Sequence, residues 1–501
     1  MTSCIMTSDI DGVMAWFRVF PPEENRRNAR FQENPRLINM PPRDARPIIY
    51  FLLLFPECLM KEIVRQTNRY ARNYLRTTEN LGRFARAHRW KPLTVQTFKS
   101  FLAIFFNMGI VRKTSIEEYW NSMLPSQLSS WFKTVSSRNT FQNILKFLHV
   151  ADYRRLADRQ HPAYDPAARF KPLLTFINRM FQRFLIPNQE LCVDETLVSA
   201  RGHSIMRQYI PTKAAKFGIK FWMLCEAATG YVIRMMIYRG RQFDPTPRGE
   251  LQGTHVVETL LRETSLFNKG YHVFCDSYFT SLNLASRLLT RNTYVTGTLR
   301  KNRPMPRTIQ QADPQAGTAI YMRQRDVLCV AYKDEVGKKP VRMLSTLLPA
   351  QDLQTGRPNI IHQYNRYMGA VDSSDAVMSA YSCVRRNKKV WKKVILHLFH
   401  RIMMNAYILY KNNTTDRVVS RLKFIQMVIE DLAGVQPDAQ VARPRPRRCH
   451  VDFLPQRKEK DCCVCSSRAR GGIRRRSRTA CTLCRRGLHR ECIRLHHCIE
   501  M

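Results

Sequence analysis

Three aspartates, each following a short apolar run, constrain this chain more than any other feature: Asp194 in LCVDETL, Asp276 in HVFCDSYFTS and Asp372 in GAVDSSD. Val193, Val273, Phe274, Cys275, Ala370 and Val371 are of the buried-strand type, and Thr196, Ser277 and Ser373 after them are turn or cap residues. The pattern predicts three strands that end on carboxylates and bring them to one sheet edge. A single aspartate after a strand is ordinarily a turn former or a helix N-cap. Three that converge suit a divalent-metal site. Mg²⁺ takes hard oxygen ligands and keeps waters for substrate phosphates, and two ions about 4 Å apart can stabilise both the attacking and the leaving oxygen of a phosphoryl transfer.

Charge narrows the partner. Among 501 residues, 82 Lys and Arg stand against 39 Asp and Glu, a formal net charge of +43. Such a surplus calls for a polyanion, nucleic acid or an acidic membrane surface. The hydrophobic fraction of 44% excludes a wholly disordered basic protein. The apolar stretch from Ile48 to Phe55, closed by Pro56, is too short to cross a bilayer, and the N-terminus lacks the basic start of a signal peptide. A soluble intracellular protein is expected, with no membrane partner.

Cysteine usage agrees. Of 15 cysteines, Cys449, Cys462, Cys463, Cys465, Cys481, Cys484, Cys492 and Cys498 crowd the C-terminus, and the rest are scattered singly through apolar segments as reduced core cysteines are. The C-terminal order is Cys462-x2-Cys465, a basic stretch, Cys481-x2-Cys484, His489-x2-Cys492, then His496, His497 and Cys498. Thiolate and imidazole pairs at this spacing select tetrahedral Zn²⁺, and so short and polar a segment has no other core on which to fold. Two interleaved Zn²⁺ ions need eight ligands. Cys462, Cys465, Cys481, Cys484, His489, Cys492, His496 and Cys498 are the preferred set, with His450, Cys463 and His497 as competitors and Cys498 itself less certain than the paired positions.

Along the chain, residues 1–42, with Pro21-Pro22, Pro41-Pro42 and no period, read as a flexible arm. From 43 to 189 the pattern is helical: Phe98, Phe101, Leu102, Phe105 and Phe106, then Phe141, Ile144, Leu145 and Leu148, recur as core stripes. From 190 to 298 strand patterns take over, followed by a helix from Leu282 to Leu289 and the strand YVTGTL, which predicts an α/β layer with a mixed sheet. Residues 299–360, around the strand candidates CVAYK and VRMLST, read as an insertion before the third aspartate in 361–381. A second helical part, 382–433, holds a long helix from about 387 to 412. Arg385, Arg386, Lys388, Lys389, Lys392 and Lys393 crowd its start, where the helix dipole disfavours cations, so a bound phosphate backbone explains them better than a solvated end. A basic linker, 434–459, carries RPRPRR into the cysteine-rich segment 460–501.

These motifs together resemble a piggyBac-type transposase over nearly the whole chain. The likeness rests on IVRQTNRYA, IEEYWNS and SSRNTFQNILKFLHVAD, on VDETLVSARGHSIMRQYIPTKAAKFGIKFWMLCEAATGY, on CDSYFTS and YNRYMGAVDSSD, and on the Cys/His tail. It implies an RNase H-like catalytic core in which Asp194, Asp276 and Asp372 bind two Mg²⁺ ions. Asp375 matches a further acidic position of the family. The resemblance also implies a helical dimerisation and DNA-binding domain split around that core, an insertion domain before the third aspartate, and a zinc domain that recognises transposon ends. Ala370 stands where the family usually has Gly, and His489 where Cys is common, which changes a zinc ligand without removing it. The family's longer acidic N-terminal segment is expected to be missing or shortened.

The activity implied is cut-and-paste excision and integration. One ion activates water and then a 3′-hydroxyl, the other stabilises the leaving 3′-oxygen, a hairpin forms and reopens, and the element joins at TTAA. The partners implied are double-stranded DNA, as transposon ends and target, and a second copy of the chain, in the nucleus, with no small-molecule substrate. Gly202, His203, Ser204, Arg207, Lys213, Lys216 and Lys220 are expected to line the DNA backbone near the site, and Tyr278 and Phe279 to pack beside Asp276. In the tail, Arg468, Arg470, Arg474, Arg475, Arg476 and Arg478 suit phosphates better than basic histone tails. Two other readings stay open: a domesticated descendant that binds DNA without cutting it, and a tail that reads chromatin proteins.

Overall fold

Strand patterns dense in Val, Phe, Leu and Cys predict strands buried on both faces, and in the computed structural model they form the middle of a ten-stranded mixed sheet. The structure describes residues 15–23, 31–79, 81–121, 124–211, 213, 215–384, 387, 389–415, 418–434, 451–466, 473–482 and 484–496. Two units, Met1–Gly434 and Val435–Met501, divide the chain. Among the described residues no helix is long and apolar enough to cross a membrane.

The sheet belongs to the larger unit. Its order is Phe17–Val19, Ala319–Gln324, Val327–Tyr332, Val341–Ser345, Tyr294–Thr298, His272–Cys275, Glu190–Ser199, Phe217–Glu226 and Arg207–Tyr209, with Val232–Ile237 also paired to Phe217–Glu226. His272–Cys275 runs parallel to both Tyr294–Thr298 and Glu190–Ser199, while the other pairs are antiparallel. Leu191, Cys192, Val193, Val273, Phe274, Cys275 and Val295 on these parallel strands are all buried.

Helices on both sides of the sheet segment in sequence share one apolar core. Pro47–Leu54 packs on Val390–Asn413, and Val95–Ile110 on Arg421–Ala433. Phe399 meets Phe55 edge-on at 5.3 Å, and Tyr410 meets Tyr50 at 5.4 Å. The phenylalanine stripe from Phe98 to Phe106 is buried against them, as its spacing predicts.

Three sequence expectations need correction. Asp372 does not follow a strand: Ala370 and Val371 open the helix Ala370–Ala380, because an apolar pair is too short to separate strand from helix, and Ala, Ser and Met downstream favour the helix. Asp194 sits inside its strand and not at its end, so Thr196 is a strand residue and not a turn. The arm of residues 1–42 is ordered where it is described, since Phe17–Val19 caps the sheet edge beside Ala319–Gln324 and Arg36–Leu37 pairs with Leu185–Ile186. Residues 299–360, read as an insertion into the layer, add their strands to the same sheet, Val341–Ser345 pairing with Tyr294–Thr298.

Candidate functional site

The parallel register sets the first two carboxylates level. Val193 pairs with Cys275, so Asp194 and Asp276 stand one residue beyond that pair on neighbouring strands. The third arrives on the helix Ala370–Ala380, which packs on Glu190–Ser199 and is tied there by the Cys192 thiol donating to the Met368 carbonyl at 2.9 Å. A carboxylate in the first turn of a helix is favoured by the helix dipole, which is where Asp372 lies. Asp194, Asp276, Asp372 and Asp375 all line one cleft of about 930 Å³.

Their environments differ. Asp194 is 7% exposed, and burial first, then the neighbouring Glu195, push its carboxyl up to about 7, against the pull of Lys213. Asp372 is exposed, and Lys213 Nζ lies 2.9 Å from its Oδ1. The Asp276 carboxylate accepts from the Tyr278 backbone N–H at 2.9 Å, and its carbonyl accepts from the Thr280 hydroxyl at 2.8 Å. Tyr278 stacks on Trp222 at 5.4 Å and Phe279 is fully buried, so both pack beside Asp276 as expected. Gly253 makes that turn possible, since a Cβ there would lie 2.6 Å from the Tyr278 carbonyl oxygen. Asp375 is committed on both oxygens: Arg401 donates to one at 2.6 Å and Thr196 to the other at 2.5 Å. Arg401 is wholly buried.

The cationic residues separate into distinct groups. Lys213 is at the carboxylates. Lys220 holds its ammonium 3.6 Å from the Trp222 ring and 3.8 Å from Glu195, so it braces the Asp276 turn. Arg207 covers Phe217 at the sheet edge, and Lys216 is exposed nearby. Lys392, expected at a phosphate, is instead buried and donates to the carbonyls of Leu145 and Lys146 at the end of the helix Arg138–Phe147, where the dipole favours a cation. Burial, with Lys389 and Lys146 near, lowers its ammonium to about 7. Lys389 is exposed before the long helix, while Arg385, Arg386 and Lys388 lie outside the described residues. Arg401 was missed in the sequence, although an arginine between Leu398 and Ile402 on an apolar stripe signals a buried, paired charge.

In the smaller unit, short strand pairs hold the ligands: Val451–Phe453 beside Thr479–Cys481, and Lys460–Asp461 beside Arg476–Ser477. Gly487 packs where a Cβ would lie 2.6 Å from the Asp461 carbonyl oxygen. Cys462, Cys465, His489 and Cys492 form one set with ligand atoms all within 4.8 Å, and Cys481, Cys484 and His496 form another, which is the interleaved order. The His489 Nε2 lies 2.9 Å from the Arg476 carbonyl, a bond that fixes Nε2–H as donor and frees Nδ1 toward Cys465, 3.2 Å away. Cys463 lies 3.5 Å from His496 Nδ1, outside both sets. Arg474 pairs with Asp461 at 2.9 Å, Arg476 with Glu459 at 3.8 Å, and Arg475 is exposed. Cys498, His450, His497, Arg468, Arg470 and the RPRPRR segment lie outside the described residues.

A mixed sheet whose parallel strands carry two of four clustered carboxylates, in a chain that also has a Cys/His tail, is the arrangement of a transposase-type fold. The family model described as Transposase IS4 matches residues 46–407, and the chain belongs to that family, in its piggyBac-type branch. It is 27% identical over 407 residues to human PiggyBac transposable element-derived protein 3, an alignment that covers 74% of this chain and 66% of that protein. To human PiggyBac transposable element-derived protein 2 it is 24% identical over 465 residues, covering 87% and 74%. Its fold is that of the piggyBac transposase solved by cryo-EM in a synaptic complex with hairpin DNA, with a TM-score of 0.71, 24% identity, and coverage of 94% of this chain and 99% of that one.

Proposed function

We propose that the chain is a DNA transposase that cuts and rejoins DNA strands at the cleft of Asp194, Asp276 and Asp372. The observation that carries this reading is the meeting of those carboxylates, remote in sequence, in one cleft of about 930 Å³. The donor set fits a hard divalent cation: Asp194 is nearly buried, with its carboxyl raised to about 7, a charge deficit that a cation bound by Asp194, Asp276 and Asp372 relieves. Mg²⁺ bound there supplies electrostatic stabilisation of the attacking and leaving oxygens of a phosphodiester.

The chain's own residues do the rest. Strand neighbours hold Asp194 and Asp276 in fixed register, while Lys213 neutralises Asp372 and meets a phosphate oxygen of the strand. Asp375, with both oxygens engaged, orients the helix that carries Asp372 and is a positioning residue. The two ligand sets of the tail, Cys462, Cys465, His489 and Cys492 with Cys481, Cys484 and His496, would hold two Zn²⁺ ions, and the tail with its arginines reads the element's ends. By likeness to the family, the reaction ends at TTAA targets, in a homodimer, in the nucleus.

Excision of a reporter flanked by candidate ends tests this, with wild type beside Asp276→Ala. Seamless excision by wild type alone is expected, and equal excision by both sinks the proposal. The human relatives bear the name transposable element-derived, which favours a second reading: a DNA-binding host protein without cleavage. That reading predicts end binding with no excision by either form.

A further inference from the structure

Three cavities of the larger unit are neighbours that share lining residues. The carboxylate cleft extends to Ser199 and Lys393. A second cavity of about 490 Å³ has the same two residues in its wall, with Arg201 and Val390. A third, of about 570 Å³, shares Val390 and ends among Tyr70, Tyr153, Tyr164 and Trp391. The three cavities therefore lie in succession, from the aspartates, by Arg201 and Lys393, to an aromatic chamber.

That chamber has the chemistry of a base pocket. Tyr70 stacks on His149 with centroids 3.7 Å apart and meets Tyr153 edge-on at 5.4 Å, and Trp391 lies 5.0 Å from His149. Arg159, Arg169 and Lys389 form a cationic rim, with the Arg169 guanidinium 5.5 Å from the centroid of Trp391. Of the two acidic residues in its wall, Asp165 is neutralised by Lys171 at 2.8 Å and Arg239 at 3.2 Å, and Asp158 is exposed. The volume lies within the roughly 300–1,000 Å³ of ordinary ligand pockets. Aromatic faces accept any base once it is unstacked, and unstacking is least costly where the strand is already single.

We propose that this chamber captures an unstacked base of single-stranded DNA whose backbone runs past Arg201 and Lys393 to the aspartates. The inference rests on the strand-cutting reading of the cleft and adds what that reading lacks, a place where an unpaired extension is held beside the cut.

The test is a binding titration of the full chain without divalent metal, so that no strand is cut. The probes are a fluorescein-labelled blunt duplex and the same duplex with a short single-stranded extension. The extension should tighten binding about tenfold, the effect of stacking one base. Trp391→Leu should abolish that gain while blunt-duplex binding stays within about twofold, and Trp391→Phe should keep most of it. Arg169→Ala, at the exposed rim, should reduce the gain about threefold and guards against misfolding of the tryptophan variant. A wild type indifferent to the extension, or a folded Trp391→Leu that keeps the whole gain, overturns the inference. Asp276→Ala should retain the gain in the metal-free titration and, on later addition of Mg²⁺, show no cleavage. A wild type that keeps the gain but cuts nothing when Mg²⁺ is then added would overturn the strand-cutting reading and support the pocket.

Discussion

The carboxylate cleft and the Cys/His tail present metal-type ligands on opposite kinds of scaffold. Asp194 and Asp276 stand on strands whose Leu191, Cys192, Val193, Val273 and Phe274 are buried in a large core, so their positions are set before any cation arrives. In the tail, the buried apolar cluster is little more than Cys462, Cys481, Cys484 and Leu488, and three of those four are themselves candidate ligands. The first, if it takes a metal, is a fold that a metal visits. The second, if it takes one, is a metal site that makes a fold.

The sharpest way to break this contrast is chelation of the full chain. Structural zinc supplies apparent folding free energies of roughly 10–16 kcal/mol in finger peptides, so a zinc chelator should abolish protease protection across 451–496 while the larger unit melts at an unchanged temperature. Metal analysis beforehand should give about two zinc ions per chain. A tail that stays folded and metal-free would erase the distinction.

Acid should act on the larger unit next. Burial pushes the imidazoles of His149, His272 and His400 down to about 3, below their ordinary 6.5. The unfolded chain therefore takes up protons first, so stability is full above about pH 6.5 and falls as pH drops toward 3, by about 1.4 kcal/mol per unit for each group. Asp194, shifted upward to about 7, opposes this, as does Asp431, which burial also raises: the neutral form of Asp194 gains stability as pH falls from 7 toward 4. Calorimetry at pH 7 and pH 5 should show a clear drop in melting temperature for the larger unit, and His272→Gln should shrink it. A flat profile would mean that these histidines are not buried neutral.

A smaller effect sharpens the cleft itself. Arg401→Met removes the buried cation that holds Asp375 and should cost about 3–5 kcal/mol, seen as a lower melting temperature, with strand cleavage reduced through the displaced helix of Asp372. Unchanged melting would remove Arg401 and Asp375 from the frame of the site.

Much of this was legible from local chemistry. Val273, Phe274 and Cys275 could hardly be anything but a buried strand, and the Cys and His spacings set both ligand sets apart from the rest of the chain. Failures came where long-range packing decides. Ala370 and Val371 suit strand or helix equally until the helix docks on Glu190–Ser199. The helix Gln252–Glu263 went unread although Val256, Val257, Leu260 and Leu261 carry its period. The role of Lys392 depends on the carbonyl end of a helix about 245 residues away, which no local pattern encodes. Whether 299–360 forms a separate unit or extends the sheet depends on one strand pairing, Val341–Ser345 with Tyr294–Thr298.

Strand cleavage by the purified full chain tests the role of the cleft most directly. Wild type and the single variants Asp194→Asn, Asp276→Asn and Asp372→Asn are compared on end-bearing duplex DNA over a Mg²⁺ titration, with DNA binding measured in parallel. The carboxylate cleft predicts Mg²⁺-dependent cleavage by wild type and a loss of at least about a thousandfold in each variant, with binding within about threefold. Cleavage at the wild-type rate by any one of the three variants would contradict it.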